Sequence, residues 1–255
     1  MWTPAVVKSS VLLMLVTALA APAVAQQVPN TLTHAEARDG WKLLFDGRTL
    51  TGWRGLGYDS IPTAHWRVVD GAIMKVASGN VPKMPDGQPA SGGDLMTISS
   101  WMNFELAFEW KVVPGANSGV KYNVDELMSM KTSNHAALGF EYQVLDDNEA
   151  EDSKIPSHRA GSLYDLIPAP ADRTLKPVGQ WNTARIVFRG KHGEQWLNGR
   201  KLLQFELGTP RMDSLLAKSK YRSIAGFADK RAGHIVLQDH GDAAYYRSIR
   251  IREIP

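Results

Sequence analysis

The 255-residue chain contains no cysteine. That absence excludes disulfides, thiolate metal sites and a lipid-modified N-terminal cysteine. Net charge is also small: 29 Lys and Arg against 26 Asp and Glu leave +3 with neutral histidines. No dense basic run appears, so nothing in the charge pattern argues for nucleic acid as a partner. Beyond the N-terminus no apolar run is long enough to cross a bilayer, and no membrane insertion of the mature chain is expected. There is no repeat of fixed period, which argues against a propeller, and no βαβ alternation, which argues against a parallel sheet. No H-E-x-x-H spacing marks a metal site. What the chain does have is 44% hydrophobic residues, 22 Gly and 8 Trp. That composition builds a large core with many turns.

The first 25 residues have the form of a cleavable export signal. Lys8 gives the positive start, Val11 to Ala20 the short apolar run, and Ala23-Val24-Ala25 the cleavage site before Gln26. A periplasmic or secreted location is expected, with cleavage after Ala25. Residues 26–39 read as a linker and a short helix, because Thr33-His34-Ala35-Glu36 fits a capping box. Residues 40–255 read as one domain.

That domain is patterned for strands. Asp70-Gly71 and Asn198-Gly199 each separate two apolar runs, the strongest short-range hairpin signal. From Asn103 to Val113 strict alternation puts Phe104, Leu106, Phe108, Trp110 and Val112 on one face. Further strands are expected at 41–45, 65–69, 72–76, 94–98, 118–124, 138–147, 181–189, 193–197, 200–205, 224–228, 233–238 and 245–254. Gly52-Trp53 is expected in a loop, residues 79–93 in a long loop, 125–137 in a polar insertion and 146–180 in an excursion with little regular structure. Asp213 to Lys220 suits a short helix. About a dozen hairpin-connected strands with one or two short helices make an all-β, antiparallel β-sandwich.

Two strands carry polar pairs. In Leu138 to Asp147, Phe140, Tyr142 and Val144 share one face while Glu141 and Gln143 share the other, above Leu145. In Gly233 to Gly241, Gln238 and His240 share a face if the strand runs that far, with Asp239 turned away or starting the turn. A sandwich that brings the two strands together places Glu141, Gln143, Gln238 and His240 in one groove.

The chain resembles the 3-keto-disaccharide hydrolase domain family. The resemblance rests on residues 40–47 (Gly-Trp-Lys-Leu-Leu-Phe-Asp-Gly), Asn117-Ser118-Gly119, residues 139–146 (Gly-Phe-Glu-Tyr-Gln-Val-Leu-Asp), Gly161-Ser162-Leu163-Tyr164-Asp165, Gly179-Gln180-Trp181-Asn182, Trp196-Leu197-Asn198-Gly199 and Leu237-Gln238-Asp239-His240-Gly241. It spans residues 40–254. It implies a concanavalin A-like jelly roll and action on glycosides already oxidised at C3. A C3 ketone acidifies the C2 proton, since the carbanion delocalises as an enolate. A base removes that proton, the C1 substituent leaves by β-elimination, and hydration completes net hydrolysis. The reaction needs a base near C2, an electrophile at the C3 oxygen and an acid at the leaving oxygen. A separate sugar 3-dehydrogenase is implied as the source of substrate.

On this resemblance Glu141, His158, His240 and Lys121 are the candidate catalytic residues. Glu141 and His240 are candidate ligands of a divalent metal ion (Zn, Mn or Co) that would polarise the ketone. His158 is the candidate base or acid. Lys121 or Tyr164 would assist at a developing oxyanion. Asn117, Gln143 and Gln238 suit sugar hydroxyls, having donors and acceptors, with Tyr164, Trp53 and Tyr58 as further substrate contacts. Trp66 and Trp101 could also stack on a sugar face, though Trp66 sits inside a strand and reads better as core; Trp181 and Trp196 read as structural. Two other readings stay open. A retaining glycosidase needs two carboxyl groups about 5–5.5 Å apart, and here the strand offers Glu141, then Gln143 and Leu145. A non-catalytic carbohydrate-binding module would use the same groove.

Overall fold

A computed structural model describes residues 1–2, 27–77, 93–132 and 136–255. Most of the expected export signal (1–25) and of the long loop (79–93) lies outside the described residues. No helix among the described residues is long and apolar enough to cross a membrane.

The capping box forms as expected: Thr33 and Glu36 satisfy each other's end of α1 (His34–Arg38). The strands follow as β1 (Lys42–Leu43), β2 (Trp53–Gly55), β3 (Trp66–Val69), β4 (Ala72–Lys75), β5 (Leu95–Trp101), β6 (Phe104–Val112) and β7 (Asn117–Val124). A short α2 (Glu126–Ser129) leads to β8 (Phe140–Leu145), then β9 (Asn182–Arg189), β10 (His192–Leu197) and β11 (Arg200–Glu206). Helix α3 (Pro210–Lys218), β12 (Gly233–Leu237) and β13 (Ala244–Glu253) complete the chain. Both expected hairpin turns have positive φ at their two central residues, Asp70 (49°) and Gly71 (71°), Asn198 (47°) and Gly199 (82°), as a type I′ turn requires.

All pairings are antiparallel. One sheet runs β11-β10-β9-β6-β13-β4-β3, with β1 also on β13; the other runs β2-β5-β12-β7-β8. This is the expected all-β antiparallel sandwich of jelly-roll type. Aromatic side chains fill the space between the sheets. Phe108 meets Tyr142 edge-on at 5.5 Å between centroids, and Tyr122 meets Phe188 at 5.5 Å.

Two expectations fail. Trp53 is in β2, not a loop, and is 2% exposed, its Nε1–H donating to the Leu44 carbonyl at 2.6 Å. It is core and cannot stack on a sugar. The strand expected at 224–228 is a run of turns: Ile224 N–H donates to the Tyr221 carbonyl, Phe227 to Ile224 and Asp229 to Gly226. Gly226 has φ 72°, which interrupts an extended strand. Trp66 is core, as read from its strand.

Candidate active site on the outer face of the five-stranded sheet

Register builds the site. Glu141 on β8 lies opposite Lys121 on β7, which lies opposite Val236 on β12, then Met96 on β5 and Arg54 on β2. Residues directly opposite project to one face, so Glu141 and Lys121 share the outer face while Phe140, Tyr142 and Val144 pack inward. The polar side of β8 is not solvated: Glu141 is 1% and Gln143 0% exposed. The cover comes from the excursion after β8. Gly161 N–H donates to the Gln143 carbonyl, Gln143 N–H to Ser162 and Tyr164 N–H to Glu141. The excursion thus pairs with the free edge of β8 and closes it. The same pairing turns Tyr164 toward Glu141's face, since Leu163 bridges the inward Tyr142.

Glu141 Oε2 lies 3.8 Å from Lys121 Nζ. Lys121 also donates to the Ala137 carbonyl at 3.0 Å. Gly119 lies beneath the carboxylate, where a Cβ would collide with Glu141 Oε1. Three acceptors of the expected site are buried without a hydrogen-bond partner among the described residues: Glu141 Oε2, Gln143 Oε1 and Gln238 Oε1. Buried acceptors of this kind are uncommon in folded proteins and leave room for an outside donor, water or ligand.

A hydrogen-bonded chain runs outward from Gln143. Its Nε2 donates to Asn117 Oδ1 at 2.9 Å, and Asn117 Nδ2 donates to Asp152 Oδ2 at 3.3 Å. Tyr164 Oη donates to the same Asp152 oxygen at 3.1 Å. His158 is clamped, Nδ1 at 2.8 Å from Asp152 Oδ1 and Nε2 at 3.1 Å from Asp165 Oδ1, and its ring stacks on Tyr164 at 4.2 Å. Both ring nitrogens thus face carboxylate oxygens. The residue expected as base or acid is therefore held between Asp152 and Asp165. Burial works against the Asp152 carboxylate, but the hydrogen bond and charge of His158, with those of Tyr164 and Asn117, hold its pKa below the ordinary value. Burial, then the charges of Asp152 and Glu141, push the Tyr164 hydroxyl far up, which keeps it a donor.

A cleft of about 600 Å³ opens beside this chain, lined by Asn117, Asp152, Ile155, Tyr164, His240 and Asp242 among others. His240 is exposed on it. Strand β12 ends at Leu237, so the expected extended run to His240 stops short. The reason is Asp239, which turns inward. It is buried, pairs with His65 Nδ1 at 2.8 Å and Lys75 Nζ at 2.9 Å, and its N–H donates to Asp94. Tyr58 is exposed on the loop after β2, four inter-strand steps from β8, roughly 19 Å along the sheet. It is not brought to the site.

A family model described as "3-keto-alpha-glucoside-1,2-lyase-like domain" matches residues 40–252. A relative named 3-keto-disaccharide hydrolase, from Bacteroides thetaiotaomicron, is 36% identical over 238 residues, 84% of this chain and 78% of the relative. The chain belongs to this family. Two crystal structures from Parabacteroides distasonis, of proteins provisionally named glycosyl hydrolases, share the fold. One has a TM-score of 0.76 at 24% identity, covering 89% of this chain and 100% of that one. The other has 0.61 at 26%, covering 84% and 99%.

The donor set does not suit the expected divalent metal. Glu141 faces the Lys121 ammonium, where a second cation would be repelled. Among the described residues no group of three or more His, Cys, Asp or Glu is placed to hold a metal ion. These residues do not fit a resident divalent cation.

Sequence reasoning missed Asp152 and Asp165. Asp165 lies inside one of the family motifs and has φ 59°, an uncommon backbone for a non-glycine residue that accompanies functional sites. Asp152 lies in a stretch without motif or period. Only the fold brings it in.

Proposed function

We propose that the protein cleaves glycosides bearing a ketone at C3, removing the C2 proton and expelling the C1 substituent, with hydration to follow. The observation that carries this reading is the lone carboxylate. Glu141 is buried, its Oε2 without a hydrogen bond among the described residues and facing the Lys121 cation at 3.8 Å; the Gln143 and Gln238 amide oxygens likewise lack a partner among those residues. Family membership and the name of the Bacteroides relative support glycosidic-bond cleavage as the reaction class.

In this reading Glu141 takes the C2 proton. The electron pair moves into the C2–C3 bond as the C3 oxygen becomes an enolate, stabilised by positive charge at the sheet face. The enolate then collapses, C1–O breaks, and the proton held by Glu141 goes to the leaving oxygen. Water next adds its oxygen to C1, and a solvent proton returns to C2 through Glu141. One carboxyl group thus serves as base and acid in turn. Gln143, Gln238 and Asn117 receive sugar hydroxyls, and Tyr164 donates from the cleft wall. A two-carboxylate glycosidase mechanism finds less support. The neighbours of Glu141 on its strand face are Gln143 and Leu145, and both oxygens of Asp152 and of Asp165 are already held by hydrogen bonds.

A paired turnover assay tests this. The protein releases the aglycone of a 3-keto-glucoside and leaves the parent glucoside intact. Equal cleavage of both supports an ordinary glycosidase, and binding without cleavage supports a carbohydrate-binding module.

A further inference from the structure

We infer that Lys220 is a catalytic residue of this site, the cation that contacts the C3 oxygen of the keto-sugar. The inference rests on the keto-glycoside reading above. Lys220 follows α3, and its backbone is fixed to the site: its N–H donates to Asp165 Oδ2 at 2.7 Å, the carboxylate that also holds His158. The next residue, Tyr221, is buried and stacked on Phe227 at 3.9 Å. The chain is therefore anchored on both sides of Lys220.

The side chain reaches back over the site. Its Nζ lies 4.0 Å from the centroid of the Tyr164 ring, whose other face is taken by His158. His158, Tyr164 and Lys220 form a stack, with Tyr164 turned to the face that carries Glu141. Among the described residues the Lys220 ammonium has no ion pair and no hydrogen bond. Lys121 differs on both counts, being buried, hydrogen-bonded to the Ala137 carbonyl and ion-paired with Glu141 Oε2 at 3.8 Å. Of the two lysines, Lys220 is the exposed one, seated on the ring of Tyr164 and open to a ligand oxygen.

Its ammonium sits on the Tyr164 and Tyr221 rings, and the charges that act on it are those of Glu141 on β8, Lys121 on β7 and Asp152 and Asp165 in the excursion. Packing against the rings lowers its pKa, Glu141 raises it and Lys121 lowers it again, leaving it below the ordinary lysine value. An ammonium held on aromatic faces without a counter-ion gains most when an oxyanion forms beside it.

The test uses the full chain with a nitrophenyl 3-keto-glucoside. Lys220→Met lowers kcat by about 10²-fold while KM and the thermal midpoint change little. Lys220→Arg restores part of the loss and moves the alkaline limb of the kcat profile upward. Undiminished kcat in Lys220→Met overturns the inference, as does a loss matched by unfolding in both variants. A second readout needs no turnover. 3-Keto-glucose protects Lys220 from acylation, read by peptide mass spectrometry, and unprotected Lys220 under saturating sugar contradicts the contact. If the wild-type protein releases no nitrophenol, the reading under Proposed function fails, and the protection result still decides whether Lys220 meets the sugar.

Discussion

Replacing Glu141 by Gln keeps the shape of the side chain and removes its charge. Two opposing terms set the effect on stability. At 3.8 Å and an effective dielectric near 20, the attraction to Lys121 is about 4 kcal/mol. Against it stands the cost of a buried charged oxygen without a hydrogen-bond partner among the described residues, about 1–3 kcal/mol or more. The terms partly cancel, so stability should fall by no more than about 3 kcal/mol, a shift in thermal midpoint under about 12 °C for a chain of this size. Activity has no such compensation. Losing the base costs about 10²–10⁴ in kcat, or about 3–5 kcal/mol of transition-state stabilisation. The assay is aglycone release from a 3-keto-glucoside beside a thermal melt of the same preparation. A folded Glu141→Gln protein with nearly full kcat would refute the central place given to this carboxylate. So would a loss of activity explained by unfolding alone.

Gly119→Ala drives a methyl group into Glu141 Oε1; the displaced carboxylate should lower kcat by about 10²-fold, with about 1–3 kcal/mol lost from overpacking, read by kinetics and a denaturant titration. Lys230 is desolvated against the Phe188 ring, 3.4 Å from its centroid, and its pKa is pushed down to about 8. Its folded value lies below its unfolded value of about 10.4, so the unfolded chain binds more protons between these values and stability rises with pH there. Lys230→Met should therefore raise the thermal midpoint at pH 7, with the gain shrinking as pH climbs through that window. Exhaustive chelation should leave turnover unchanged, because Glu141 is matched to a lysine; activity restored only by added metal would reverse that conclusion.

The fold was legible because strand alternation and turn chemistry are local. Asp70-Gly71 and Asn198-Gly199 mark their hairpins through the φ values they permit, and Phe104 to Val112 marks its inward face by period alone. Trp53 was misread because β2 has three residues, too short for a period to show. Residues 224–228 were misread because apolar residues in successive turns resemble a short strand. Within the site, Glu141 and Gln143 were legible as a pair on one strand face. Their burial was not, since the cover is the irregular excursion after β8. The role of His158 depended on Asp152 and Asp165, six and seven residues away, in a stretch whose conformation no periodicity sets. Asp239 read as a turn residue. Its partners His65 and Lys75 come from the other end of the chain, and only the closed sandwich joins them.

The central claim is that the C2–H bond breaks and is remade during cleavage. It is tested most directly by turning over a 3-keto-glucoside in D₂O and following the sugar product from the earliest time points by NMR. The account predicts deuterium at C2 of the product from the first turnovers, ahead of uncatalysed exchange. A product that retains its original C2 hydrogen, released at the catalysed rate, would contradict it.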